Sequence, residues 1–133
     1  MRFFLDIEPP TSTHQMKKVC VINGVPRFYD PPKVVAARKE LEYALARHAP
    51  KHKMDGPLFL CVEWRFRPKG KHRSGEYRTT RPDTDNLQKL LKDVMTMMGF
   101  WNDDAQVAIE KTTKIWHEKP GIDIECLFLD RST

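Results

Sequence analysis

The chain has 133 residues, of which 40% are hydrophobic and 31% charged, which fits one domain able to bury a core of its own and excludes a disordered segment. Lys and Arg number 23 against 18 Asp and Glu, a net charge of +5. That surplus permits a polyanionic partner and leans away from a channel for acidic substrates. Cys20, Cys61 and Cys126 are odd in number, far apart and without C-x-x-C spacing, so they read as buried thiols of a reducing cytosol. The apolar cluster Phe3, Phe4, Leu5 and Ile7 is interrupted by Asp6 and is too short for a secretory segment. No run approaches the roughly 18 apolar residues of a membrane span. The expectation is a soluble, cytoplasmic protein with no membrane partner.

Residues 2–7 read as a short strand ended by Pro9-Pro10. Lys17 to Tyr29 reads as a hairpin turned at Asn23-Gly24, the pair that supplies the positive φ angles of a type I′ turn. Pro31-Pro32 stops it and opens a helix over residues 33–48, with Ala37, Leu41, Ala44, Leu45 and His48 on one stripe. Residues 57–67 alternate as a half-buried strand, Leu58, Leu60, Val62, Trp64 and Phe66 on one side and Cys61, Glu63, Arg65 and Arg67 on the other. Arg65 to Arg81 then carries seven cations, Arg65, Arg67, Lys69, Lys71, Arg73, Arg78 and Arg81, against the single acid Glu76. Gly70, Ser74 and Gly75 make it a flexible loop, and loops this long in small domains are commonly functional or disordered.

A second helix places Leu87, Leu90, Leu91, Val94, Met97 and Met98 on one face, with Asp85 as N-cap, Gln88 three residues on, and Gly99 as the stop. After the turn Trp101-Asn102-Asp103-Asp104, residues 105–116 read as a strand, and Lys119-Pro120-Gly121 turns it into a hairpin with Ile122 to Leu129. The fold class expected is α+β: a single domain over residues 1–133, with a mixed sheet of about six strands and two main helices.

Asp83 and Asp85 stand at the entrance of the second helix, and Asp103 and Asp104 in the turn beyond its far end. Four acids with no His or Cys among them form a hard-oxygen set that suits Mg²⁺ or Mn²⁺ rather than zinc. They converge only if the strand from residue 105 folds back beside the helix start or the Gly99 turn aims the second pair inward. Lys89 and Asp93 follow Asp85 at four-residue intervals on the same helix face, where a lysine beside acids steadies phosphate charge. Plainer readings stand beside these: Asp85 as a cap, Asp83 as a turn residue, Lys89 as half of a surface ion pair, Asp103-Asp104 as a solvated turn. A restriction-type nuclease is disfavoured, because Pro82-Asp83 is followed by no Asp/Glu-x-Lys; Glu110-Lys111-Thr112 misses by one residue.

Arg81-Pro-Asp-Thr-Asp-Asn-Leu-Gln-Lys89, Asp93, Gly99-Phe-Trp-Asn-Asp-Asp-Ala-Gln106 and Lys114 together resemble the RusA family of Holliday junction resolvases. Pro9-Pro10-Thr-Ser-Thr-His14 before a basic hairpin is similar to some phage-borne members. The resemblance implies a small homodimeric, Mg²⁺-dependent endonuclease of recombination and repair that makes paired symmetric nicks at four-way DNA junctions. It implies Asp83, Asp85 and Asp104 as metal-binding catalytic acids, Lys89 as their catalytic lysine, and Asp103 as a supporting or structural residue. Branched DNA would be gripped by Arg65, Arg67, Lys69, Lys71, Arg73, Arg78, Arg81 and Lys114 through phosphates. The basic loop before Arg81 is longer than in compact members. Two other classes stand as alternatives: a catalytically weak, structure-selective DNA-binding module, and a metal-dependent glycosyl or nucleotidyl transferase. The chain is short for the transferase and has no Gly-rich phosphate cradle.

Overall fold

The computed structural model describes residues 1–13, 18–29 and 31–130. His14 and Lys17, which figured in the sequence reading, lie outside them. Strand β1 is Arg2–Leu5, β2 Lys18–Ile22, β3 Val25–Tyr29, β4 Leu58–Phe66, β5 Val107–Trp116 and β6 Gly121–Phe128; helix α1 is Pro32–Ala46 and α2 Thr84–Met97. The class is α+β as expected, but the six strands form two sheets. Four run in the order β1-β6-β4-β5, while β2 and β3 pair only with each other. Their turn has φ of 53° at Asn23 and 76° at Gly24, the positive pair the Asn-Gly sequence calls for.

Strand β4 explains the main sheet. Its burial alternates without a break, with Leu58, Leu60, Val62, Trp64 and Phe66 buried and the residues between them half-buried. A strand covered this evenly belongs in the middle of a sheet. It pairs parallel with β5 and antiparallel with β6. The hairpin expected between β5 and β6 therefore does not form, because β4 lies between them. The turn itself survives: residues 117–120 cross the end of β4, where the His117 amide donates to the Phe66 carbonyl at 2.7 Å. Four residues easily span two strand spacings of about 4.8 Å.

In register, Leu60 faces Cys126, Val62 faces Ile124 and Trp64 faces Ile122, and all six are buried. The apolar faces of α1 and α2 complete this core with Leu41, Ala44 and Leu45 from one and Leu87, Leu90, Leu91, Val94 and Met95 from the other. Burial of each such side chain is worth about 1.5–3 kcal/mol. The α2 face is rotated from the expected stripe: Met95 is buried and Met97 is 64% exposed. Gln88, read as a capping partner, is instead buried, and its Oε1 accepts from the Trp64 indole at 2.7 Å. Gln88 and Met95 are seven residues apart and extend the same flank toward the sheet. Gly99, with φ of 85°, ends α2 as expected. Cys126 is a buried thiol pushed up to about 11 by burial, while Cys20 and Cys61 are half-buried. Among the described residues, no helix is long and apolar enough to cross a membrane.

Gly121 begins β6 where β1 passes closest. A Cβ there would lie 2.1 Å from Phe4 Cζ and 2.7 Å from the Leu5 carbonyl oxygen, and backbone gives way less easily than a ring. Gly121→Ala is expected to destabilise the fold by about 1–3 kcal/mol in urea unfolding. An unchanged midpoint would show that β1 is not seated against β6.

Candidate active site

Asp83 occupies the N-cap position of α2 in extended backbone, and Asp85 lies in the first turn. The cap expected at Asp85 thus falls two residues earlier, because Pro82 precedes the helix and Asp83 holds its last extended backbone. The Asp83 side chain makes no capping hydrogen bond. Both carboxylates are exposed, and neither forms an ion pair among the described residues. Acids near a helix N-terminus are favoured by its positive end. They line a cleft of about 550 Å³ with Arg81, Asn86, Thr11 and Thr13. The two threonines come from the segment after β1, and nothing in the local sequence pattern signals that it returns to α2. The Arg81–Pro82 peptide is cis.

Asp103 and Asp104 sit past the other end of α2. A single turn of 3-10 helix over Asp104–Gln106 leads into β5, with Asp103 as its cap: Asp103 Oδ1 accepts from the Ala105 amide at 2.8 Å. Gln106 ties the turn down. Its Oε1 accepts from the amides of Asn102 (2.9 Å) and Asp103 (3.1 Å), and its Nε2 donates to the carbonyls of Met54 (3.0 Å) and Gly56 (2.9 Å). Asp103 is therefore spent on the turn, whereas half-buried Asp104 lines a cavity of about 490 Å³ with Asp93, Thr96, Met97, Arg38, Asn102 and Asp103.

The two acid pairs do not converge within one chain. With 14 residues, α2 spans about 21 Å at 1.5 Å per residue, and β5 leaves the Asp104 turn beside β4, parallel to it. Among the described residues, no three His, Cys, Asp or Glu side chains meet at one point. Lys89 is exposed on the stripe of α2 between the two ends; its neighbour Lys92 pairs with Glu110 at 3.0 Å.

The basic residues separate into two groups. Arg65 donates through Nε to Glu63 at 2.8 Å and reaches Asp123 at 3.6 Å, on the sheet face opposite the helices. Arg67 pairs with Glu8 at 2.9 Å. Lys114 Nζ donates to the carbonyls of Thr80 (2.7 Å) and Pro82 (2.6 Å). The Arg78 guanidinium lies 4.3 Å from the Phe66 ring and 4.5 Å from that of Trp116. Burial lowers both cations from their usual range, and for Lys114 the nearby Arg78 charge adds to the effect. Lys69, Lys71, Arg73 and Arg81 are exposed and make no ion pair among the described residues. The loop carrying them is not loose. Residues 75–78 run along the outer edge of β5, with Gly75 N to Trp116 O at 2.7 Å, Trp116 N to Glu76 O at 2.8 Å and Arg78 N to Lys114 O at 3.0 Å.

The acids at the start of α2 fit a small hard cation. Mg²⁺ is commonly held by one or two carboxylates while it keeps several waters and takes phosphate oxygens of the substrate. The open Asp83 and Asp85 oxygens are donors of that kind.

The family described as endodeoxyribonuclease RusA matches residues 7–126, which include both ends of α2 and every strand except β1 in full or nearly so. The chain belongs to the RusA family. It is 32% identical over 125 residues to the crossover junction endodeoxyribonuclease rusA of Lactococcus phage r1t, covering 92% of this chain and 94% of that protein. It is 27% identical over 113 residues to the uncharacterized protein YqaN of Bacillus subtilis (strain 168), covering 77% and 79%. Against the crossover junction endodeoxyribonuclease RusA of Escherichia coli (strain K12) it is 49% identical, over 41 residues that cover 31% of this chain and 34% of that protein. The RusA assignment makes the chain an endodeoxyribonuclease by family.

Gln106 was not singled out by residue type, yet it joins the Asp104 turn to residues 54–56. Gln106→Ala is expected to lower stability by about 1–3 kcal/mol and to speed amide exchange at residues 102–106. Exchange there at the wild-type rate would show that the turn is held by other contacts.

Proposed function

We propose that this RusA-family chain is a Mg²⁺-dependent endonuclease that resolves four-way DNA junctions by paired nicks. The observation that carries the reading is the pair Asp83 and Asp85, with no capping bond from Asp83, no ion pair to either among the described residues, and both open to a cleft beside the exposed Arg81.

Asp83 and Asp85 hold the metal from the start of α2. The Asp104 of the same chain is a helix length away, so a site using all three acids takes its Asp104 from a second copy. A twofold homodimer then carries two such sites, one for each of two opposed strands, in keeping with the symmetry of a four-way junction. When bound, Mg²⁺ supplies a polarised water and neutralises charge on the phosphate. The acids would orient it, and Lys89, one turn beyond Asp85, would offset charge that gathers on the phosphate oxygens. Water adds to phosphorus, the phosphorus–oxygen bond to one sugar breaks, and a phosphomonoester and a hydroxyl end remain. Lys69, Lys71, Arg73 and Arg81 hold the junction arms through their phosphates, so binding weakens as salt rises.

The test is a labelled immobile junction against a matched linear duplex, with Mg²⁺ and with EDTA. Symmetric nicks in the junction alone are expected, lost in EDTA and in Asp83→Asn, while Asp83→Asn still binds the junction. Junction binding without nicks across varied core sequences would overturn the nuclease reading in favour of a binding module.

A further inference from the structure

We infer that Arg78 and Lys114 are positioning residues, a two-cation clamp that fixes the backbone of residues 80–82 and so aims Asp83 and Asp85 into the cleft. The inference rests on the reading of those acids as metal ligands.

Residues 79–83 lie between the β5 edge and the first turn of α2, in neither helix nor strand. Such a segment has no ladder to hold it, yet three successive carbonyls are taken by side-chain cations. Lys114 Nζ holds Thr80 O and Pro82 O, and Arg78 Nη2 holds Arg81 O between them. Arg78 Nε also donates to Thr80 Oγ1 at 3.1 Å. The carbonyl of Pro82 is the last before Asp83.

The clamp is itself anchored on both sides. Lys114 lies opposite Trp64 in the β4–β5 register, which places it on the face of the sheet that α2 covers rather than on the open one. Arg78 is sandwiched between Phe66 and Trp116, an arrangement favourable for a guanidinium. Its own amide donates to the Lys114 carbonyl at 3.0 Å, so the two cations form one unit. Holding two like charges together and half-buried is unfavourable in itself, and for Lys114 the nearby Asp83 charge offsets part of that cost. Three backbone carbonyls and the Thr80 hydroxyl engage both cations, which draws them away from the set that holds DNA phosphates. Residues that orient ligands from behind commonly change metal affinity or activity by about 10–100-fold when removed.

The experiment compares full-length wild type, Lys114→Met, Lys114→Arg and Arg78→Lys. In Lys114→Met, the Mg²⁺ concentration for half-maximal junction cleavage is expected to rise by about tenfold or more. Exchange of the flanking Arg78 and Leu87 amides, which donate to the Lys114 and Asp83 carbonyls, should quicken while the interior of α2 keeps its protection. Junction affinity and its salt slope should stay at the wild-type values, and Lys114→Arg should recover part of the loss. Arg78→Lys, which keeps the charge but loses the fork, should show the same pattern if Lys114→Met does not fold. An unchanged Mg²⁺ requirement with unchanged exchange would overturn the clamp. So would a salt slope reduced by about one, the mark of a lost phosphate contact. Should the wild type cut no junction at all, the nuclease reading falls, while the exchange comparison still decides whether the clamp exists.

Discussion

The length of α2 is the constraint on which the rest of the chain's functional geometry depends. Its buried face, Leu87, Leu90, Leu91, Val94 and Met95, is locked into the same core as the alternating residues of β4, and Gln88 fastens it further through the Trp64 indole. A helix packed this way neither bends nor slides freely, so its two ends keep a fixed separation. One end carries Asp83 and Asp85, the other the Asp104 turn. On the proposed reading, each chain would then carry two half-sites a helix length apart, one at each end of α2.

The cations follow a similar division of labour. A count of charge along residues 65–81 suggests one basic arm, but the fold sorts that arm by what each side chain touches. Arg65 answers acids on the sheet, Arg67 answers Glu8 beyond the end of β1, Arg78 and Lys114 answer backbone carbonyls behind Asp83, and Lys69, Lys71, Arg73 and Arg81 remain turned outward. The positive surplus is therefore partly internal scaffolding. The outward group is exposed and makes no ion pair among the described residues, as phosphate binding with strong salt dependence requires.

Much of this was legible in the residues themselves. Alternation in β4, the Asn23-Gly24 turn and the Gly99 stop each follow from a local rule, and the structure agrees with all three. The resemblance of residues 81–114 to RusA proteins rested on residue types at fixed spacings, and the family match over residues 7–126 supports it. What local rules missed was non-local. A turn at residues 117–120 looks the same whether β5 and β6 pair directly or straddle β4, because the deciding partner lies some fifty residues earlier. The roles of Gln106, Thr11 and Thr13 depend on segments that meet only after folding. Lys114 reads as one more basic residue until the register of β5 shows which face of the sheet it occupies.

The division of the acids between two ends of a rigid helix is tested most directly by mixing two defective chains. Asp83→Asn and Asp104→Asn would each be prepared, shown to be inactive alone, then co-refolded so that subunits exchange, and assayed on a four-way junction with Mg²⁺. If each site draws Asp83 and Asp85 from one copy and Asp104 from the other, half of the sites in a mixed dimer are intact. Nicking then returns, as single rather than paired cuts. A mixture as inactive as its components, with subunit exchange verified, would contradict the account and place all three acids in one chain's site.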